Sequence, residues 1–252
     1  MKIQTVYRCS QETGLGIGRF GEQTGSNNFG VLGMRVRTVL LAVQVLASFH
    51  VSGQWQWQNP LDIGNLGLAD KYALLYNAAG VLVSGWLESD HNRPRPWEAG
   101  VVVSLHQEYN AEEDPLQLVL ARGRIGRQLH RWLQLGLEGQ VYGTGQAGRT
   151  VLGLGGAVYF NWYFLNRERF RLYFDNGFGI VVTHRAFPRG GTRFNFNRYY
   201  GLNVGFKLRD QVFLTMGAHT FHLSNAFLFG DDRNPAFDSV GVTLGITTLL
   251  GG

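Results

Sequence analysis

The sequence predicts an all-β fold: an eight-stranded antiparallel transmembrane β-barrel of the outer-membrane type. Three observations lead there. Eight segments of ten or more residues alternate apolar and polar side chains, the connections between them alternate between short and long, and the pattern of a secretory signal precedes them. Composition agrees, because the 252 residues include 35 Gly, 17 Phe, 10 Tyr and 6 Trp and only 16% are charged. Glycine weakens helices, and aromatic residues favour a pleated surface.

Residues 1–33 show no periodicity and read as an unstructured extension or a mis-assigned start. From Met34, MRVRTVLLAVQVLASFHVSG carries Arg35 and Arg37, an apolar run from Val39 to Phe49, and small residues at Ser52 and Gly53. That order is a signal peptide over 34–53, and the run is too short to cross a bilayer as a helix. The mature chain is then expected to begin near Gln54, and Cys9, the only cysteine, to be lost with the leader. This excludes a cysteine nucleophile and a thiolate metal site. Residues 54–97, with WQWQNP and HNRPRPW, are a lead-in segment or a plug, with no role legible in their residues.

The barrel occupies 98–252, with strands expected at 98–107, 116–125, 131–142, 151–163, 169–182, 193–208, 211–224 and 238–249. Alternation is clearest in the fifth, where Phe170, Leu172, Phe174, Phe178, Ile180 and Val182 share one face and Arg169, Arg171, Tyr173, Asp175, Gly177 and Gly179 the other. In the third, Leu133, Leu135, Leu137 and Val141 oppose Gln134, Gly136, Glu138 and Gln140. A soluble sandwich also alternates, so the connections decide. Those after the second, fourth and sixth strands are short, and those after the first, third, fifth and seventh are mostly longer, as in a barrel whose termini lie on the periplasmic side. Eight strands leave room inside only for side chains, so Glu138, Arg171, Asp175 and Lys207 are expected to form a packed polar interior, which argues against transport. Trp132, Trp162, Tyr199 and Tyr200, at strand ends, are expected in the interfacial aromatic girdles.

The net charge of +5 raises nucleic acid as a partner, but no basic run, aromatic-basic motif or recognition helix accompanies it. Anionic lipid headgroups suit scattered arginines equally well.

In the seventh strand His222 and Ser224 share parity with Leu214, Met216 and Ala218, and in the eighth Asp238 shares parity with Val240, Val242, Leu244 and Ile246. All three polar residues therefore face the bilayer near the extracellular rim. Residues two apart on a strand point the same way, roughly 6.5–7 Å apart at Cα, so an imidazole reaches a neighbouring hydroxyl. The hairpin partner brings a carboxylate to the other ring nitrogen. These are the parts of an activated nucleophile: Ser224 attacks, His222 takes its proton, and Asp238 orients the ring and stabilises imidazolium. The bland alternative is a set of solvated groups at a hairpin tip.

The stretch HLSNA, then a polar loop, NPAFDS and a final strand, resembles the C-terminal signature of the PagL-type lipid A 3-O-deacylases over about 213–246. The resemblance implies an eight-stranded outer-membrane barrel that hydrolyses the 3-linked acyl ester of lipid A in the outer leaflet, without a cofactor or metal. It assigns His222 as base and Ser224 as nucleophile, and Asn225 and Asn234 as supports of the oxyanion or the loop. Asp238 stands where the family usually has glutamate, Phe227 where it usually has glycine, and the loop between serine and acid is slightly longer. A non-enzymatic structural or adhesion barrel and a phospholipid esterase remain as alternatives.

Other groups have simpler readings. His219 falls on the lumen-facing parity as a hydrogen-bonded interior residue. Asp231 and Asp232 read as a solvated turn rather than a calcium site, and Arg185, Arg189 and Arg193 either meet lipid A phosphates or only solubilise their loop.

Overall fold

A computed structural model describes residues 68–86, 96–109, 115–146 and 148–251. The expected extension at 1–33, the signal peptide at 34–53 and much of the lead-in lie outside them. The lead-in contributes a helix, α1 (Leu68–Trp86), which its residues did not declare. Eight strands follow: β1 (Trp97–Glu108), β2 (Gln117–His130), β3 (Leu133–Gln146), β4 (Arg149–Asn166), β5 (Phe170–Phe187), β6 (Thr192–Arg209), β7 (Val212–Ser224) and β8 (Phe237–Leu250). Each pairs antiparallel with the next, and β1 pairs with β8 to close the barrel, leaving no open edge.

Every strand stands where alternation placed it, and most run longer. β3 continues to Gln146 and β4 begins at Arg149, so the connection after the third strand, expected among the longer ones, is only 147–148, with Gly148 at φ 74°. The ladder can outrun the apolar belt because backbone pairing is indifferent to whether the side chains are polar. The termini of the barrel meet where Trp97 pairs with Leu250, at the end that carries the turns 131–132, 167–169 and 210–211. This is the periplasmic end of an outer-membrane barrel, and the twelve-residue β7–β8 connection lies at the other.

Outward positions such as Val101, Val103, Leu105, Leu152, Leu154, Val242, Leu244 and Ile246 are exposed and apolar, whereas inward positions are buried and mostly polar at mid-barrel. That inversion of a water-soluble protein marks a lipid-facing wall. Inside, Arg124 makes a two-pronged bond to Asp175 at 2.9 and 3.0 Å and reaches Glu138 at 3.1 Å. Arg171 meets Glu98 at 2.6 Å, and Arg122 lies over the Tyr199 ring. Glu138, Arg171 and Asp175 thus belong to a side-chain-filled interior. Lys207 does not share their network: it sits at the periplasmic end against Glu168 and Asp210, whose carboxylates reach the water-facing turns.

The girdle expectation needs correction at Tyr199. Neighbouring residues on a strand face opposite sides, so Tyr199 and Tyr200 cannot share one belt. Tyr199 points inward and donates its hydroxyl hydrogen to Glu138 Oε2 at 2.9 Å, while Tyr200 packs outside against Phe174 and Phe178. Trp162 is on the outer wall but buried, with Trp132 stacked on it at 5.2 Å.

Toward the extracellular end the interior becomes apolar, filled by Leu116, Leu118, Leu120, Tyr142, Val181, Phe187, Phe221, Leu223 and Phe237. This cluster underlies the β7–β8 hairpin and fixes its plane.

Candidate active site

The hairpin alternates inward anchors with outward polar groups. Phe221, Leu223 and Phe237 are buried in the apolar cluster, so the intervening His222, Ser224 and Asp238 must emerge on the outer face. Strand pairing then sets Asp238 directly opposite His222. His222 Nδ1 lies 2.7 Å from Asp238 Oδ1, and His222 Nε2 lies 3.2 Å from Ser224 Oγ. A carboxylate can only accept, so Nδ1 carries the ring hydrogen and Nε2 is left to accept from the serine hydroxyl. A hydroxyl, an imidazole and a carboxylate are in line.

His222 and Ser224 are buried despite facing outward. The sequence placed them on the wall but could not show that they are sheltered there. A sheltered site strengthens electrostatic interactions and keeps competing water away.

The loop after Ser224 is held by two asparagines. Asn234 Oδ1 accepts the Asn225 backbone N–H at 2.8 Å, and the Asn225 amide donates to Thr192 Oγ1 at 3.2 Å and to the Arg233 carbonyl. Ala226 and Phe227 follow in the left-handed region, at φ 52° and 61°. Left-handed backbone favours glycine, which gives a physical reason for the glycine expected at 227; here a phenylalanine adopts that conformation. Asp232 is exposed in the 3₁₀ turn Asp231–Arg233, away from the hydroxyl-histidine-carboxylate line. Arg185, Arg189 and Arg193 are exposed on the β5–β6 hairpin, where Arg193 Nε donates to the Thr183 carbonyl at 3.1 Å. His219 is inside, 3.0 Å from Asn203 Oδ1.

The family model of the lipid A 3-O-deacylases (PagL) matches residues 119–247, just over half the chain, and spans this whole site. The chain belongs to the PagL family. No curated protein matches it. Among solved structures, the outer membrane enzyme PagL is 15% identical, with 60% of this chain and 98% of that one covered and a TM-score of 0.41. The N-terminal β-barrel domain of Pseudomonas aeruginosa OprF is 12% identical, covering 62% and 100%, with a TM-score of 0.42. Neisserial surface protein A is 11% identical, covering 61% and 96%, with a TM-score of 0.42.

In this PagL-family chain Arg198 also stands at the site, a residue that no sequence motif singles out. It pairs with His222 across β6–β7, lies buried on the outer face, and its charge acts on the Asp238 carboxylate. Parity could have found it, because Arg198 interrupts an outward row that continues through Leu202, Val204 and Phe206.

Proposed function

We propose that this chain hydrolyses the 3-O-linked acyl ester of lipid A through Ser224, His222 and Asp238. Membership of the PagL family makes it a lipid A deacylase of the outer membrane; the position of the ester and the residues that cleave it are our reading. The observation that carries this reading is the continuous line from Ser224 Oγ through the His222 ring to Asp238, at 3.2 and 2.7 Å.

Ser224 Oγ attacks the ester carbonyl carbon while His222 Nε2 takes the hydroxyl proton, and Asp238 balances the resulting imidazolium. The carbonyl oxygen becomes an oxyanion. Among the described residues, the N–H groups of Ala226 and Phe227 meet no protein acceptor, whereas that of Asn225 is taken by Asn234. The two free amides, one and two residues beyond the paired one, are the donors best placed for the oxyanion. Collapse breaks the bond to the sugar oxygen, which leaves with the proton from His222. Water then enters, gives its proton to His222 and cleaves the acyl-serine, releasing the fatty acid and restoring the hydroxyl.

The surroundings favour a lipid. Phe196 pairs with Ser224 across β6–β7 and packs edge-on with Phe194 at 5.3 Å, an apolar track beside the nucleophile. The site lies at the end opposite the barrel termini, the outer-leaflet side, where lipid A resides. Asn225 and Asn234 act in this reading by holding the loop that carries the amides.

The test is mass spectrometry of lipid A from a Gram-negative host expressing the chain, beside Ser224→Ala. Loss of one 3-linked acyl group with the wild type alone is expected. Unchanged lipid A from a folded wild-type barrel, with phospholipid cleaved instead, would replace this substrate by a phospholipid ester.

A further inference from the structure

The outer wall of the barrel carries a patch that is shut off from its surroundings. Leu133, Trp162, Phe174 and Asn176 all point outward, since they alternate with the inward Gln134, Asn161, Tyr173 and Asp175. Leu133 and Asn176 are 0% exposed and Trp162 is 4% exposed, yet outward neighbours Leu137 and Ile180 are 61% and 47% exposed. What covers the patch is α1, which belongs to the same compact unit as the barrel and runs against β2 and β3.

The fit is specific. Tyr76 packs on Trp162 with ring centroids 4.0 Å apart, and a Cβ added to Gly80 would fall 2.0 Å from the Trp162 ring. Between them Asn77 bridges two barrel strands: the Trp162 indole N–H donates to Asn77 Oδ1 at 2.9 Å, and the Asn77 amide donates to Asn176 Oδ1 at 2.7 Å. Without α1, the Asn176 side-chain carbonyl oxygen and the Trp162 N–H would face hydrocarbon unpaired, which is costly.

The helix is also polarised in the wrong sense for water. Its barrel side is Ala73, Tyr76, Asn77, Gly80 and Ser84, spaced three, one, three and four apart along one face and including its buried polar groups. Its free side presents Tyr72, Leu74, Leu75, Leu82 and Val83. Small residues and a bridging amide toward protein, with large apolar residues away from it, is the packing mode of helices in lipid. The free side continues the barrel's own belt at Leu137 and Ile180. No described helix is long and apolar enough to cross a membrane. Leu133 opens β3, Trp162 stands four residues before the end of β4 and Asn176 six residues past the start of β5, so the seat of α1 lies toward the periplasmic end.

We propose that α1 is a membrane-immersed clasp, seated on the periplasmic half of the lipid-facing wall through Asn77 and Gly80, whose free face contacts phospholipid acyl chains. The barrel is therefore not bare on this side, and lipids toward the periplasmic end meet a helix over β2–β5.

The experiment uses the full chain with Cys9→Ser and single cysteines at Leu75→Cys or Leu82→Cys, each carrying an environment-sensitive fluorophore, folded into phosphatidylcholine vesicles. References are Val242→Cys on the barrel belt and Asp210→Cys in a periplasmic turn. Lipids brominated on the acyl chain are expected to quench labels at 75 and 82 as strongly as at 242, and aqueous iodide to quench them far less than at 210. Iodide quenching equal to that at 210 overturns the proposal by placing the face in water. Protection from both quenchers overturns it by placing protein, such as a second copy of the chain, over the face. Gly80→Leu tests the seat: with the barrel folded by its heat-dependent gel mobility, quenching at 75 and 82 should change, and an unchanged profile overturns the docking.

Discussion

Replacing Asp238 by asparagine removes one charge while keeping nearly the same volume in the line of three groups. The Asp238 carboxylate is 2.7 Å from His222 Nδ1, and its side chain is only 26% exposed, so water substitutes poorly for it. When His222 becomes imidazolium, a carboxylate with its charge about 4 Å away stabilises it by about 4 kcal/mol at an effective dielectric near 20. At about 1.4 kcal/mol per tenfold this is roughly three orders of magnitude in rate. Asparagine adds a second fault, because its amide can donate to Nδ1 and leave Nε2 carrying the hydrogen, unable to accept from Ser224. Asp238→Asn is therefore expected to lower the deacylation rate in detergent micelles by roughly 10³ to 10⁴, with folding checked by gel mobility. Asp238→Glu, the family's usual residue, is expected to keep most of the activity, since the partial exposure leaves room for one more methylene. An asparagine variant within tenfold of wild type would show that the carboxylate does not act through His222.

Ser224→Ala and His222→Ala should each reduce deacylation to background with the barrel intact; full activity in either would remove that residue from the mechanism. Arg124→Ala leaves the buried Asp175 and Glu138 without their shared cation, and should destabilise the barrel by about 3–5 kcal/mol, read from its urea unfolding midpoint; an unshifted midpoint would deny the interior network its role. Asn234→Ala removes the acceptor of the Asn225 N–H and should lower kcat more than it raises KM, because the loop amides are then no longer aimed; a pure KM effect would assign the loop to substrate binding alone.

Strand number, order and facing were legible in the residues because period-two alternation is a local property: each side chain's face follows from its neighbours alone. The same rule set His222, Ser224 and Asp238 on the outer wall and His219 inside. It would also have put Tyr199 inside, had parity been weighed above the tendency of aromatic residues to collect at strand ends. The length of the β3–β4 connection was not legible, since Gly-, Thr- and Arg-containing segments pair as readily as apolar ones once a neighbouring strand supplies partners.

Pairing register and burial depend on contacts far apart in the chain, and only the folded barrel sets them. The ladder brings Asp238 opposite His222 and Arg198 beside it, and the cluster around Phe221 and Phe237 holds the hairpin in that register. The seat of α1 rests on Asn77 meeting Asn176, 99 residues away. The residues of α1 declared neither a helix nor a face to bury in the sequence. Which face it buries is decided on the wall, where the Trp162 indole N–H and the Asn176 carbonyl oxygen meet Asn77.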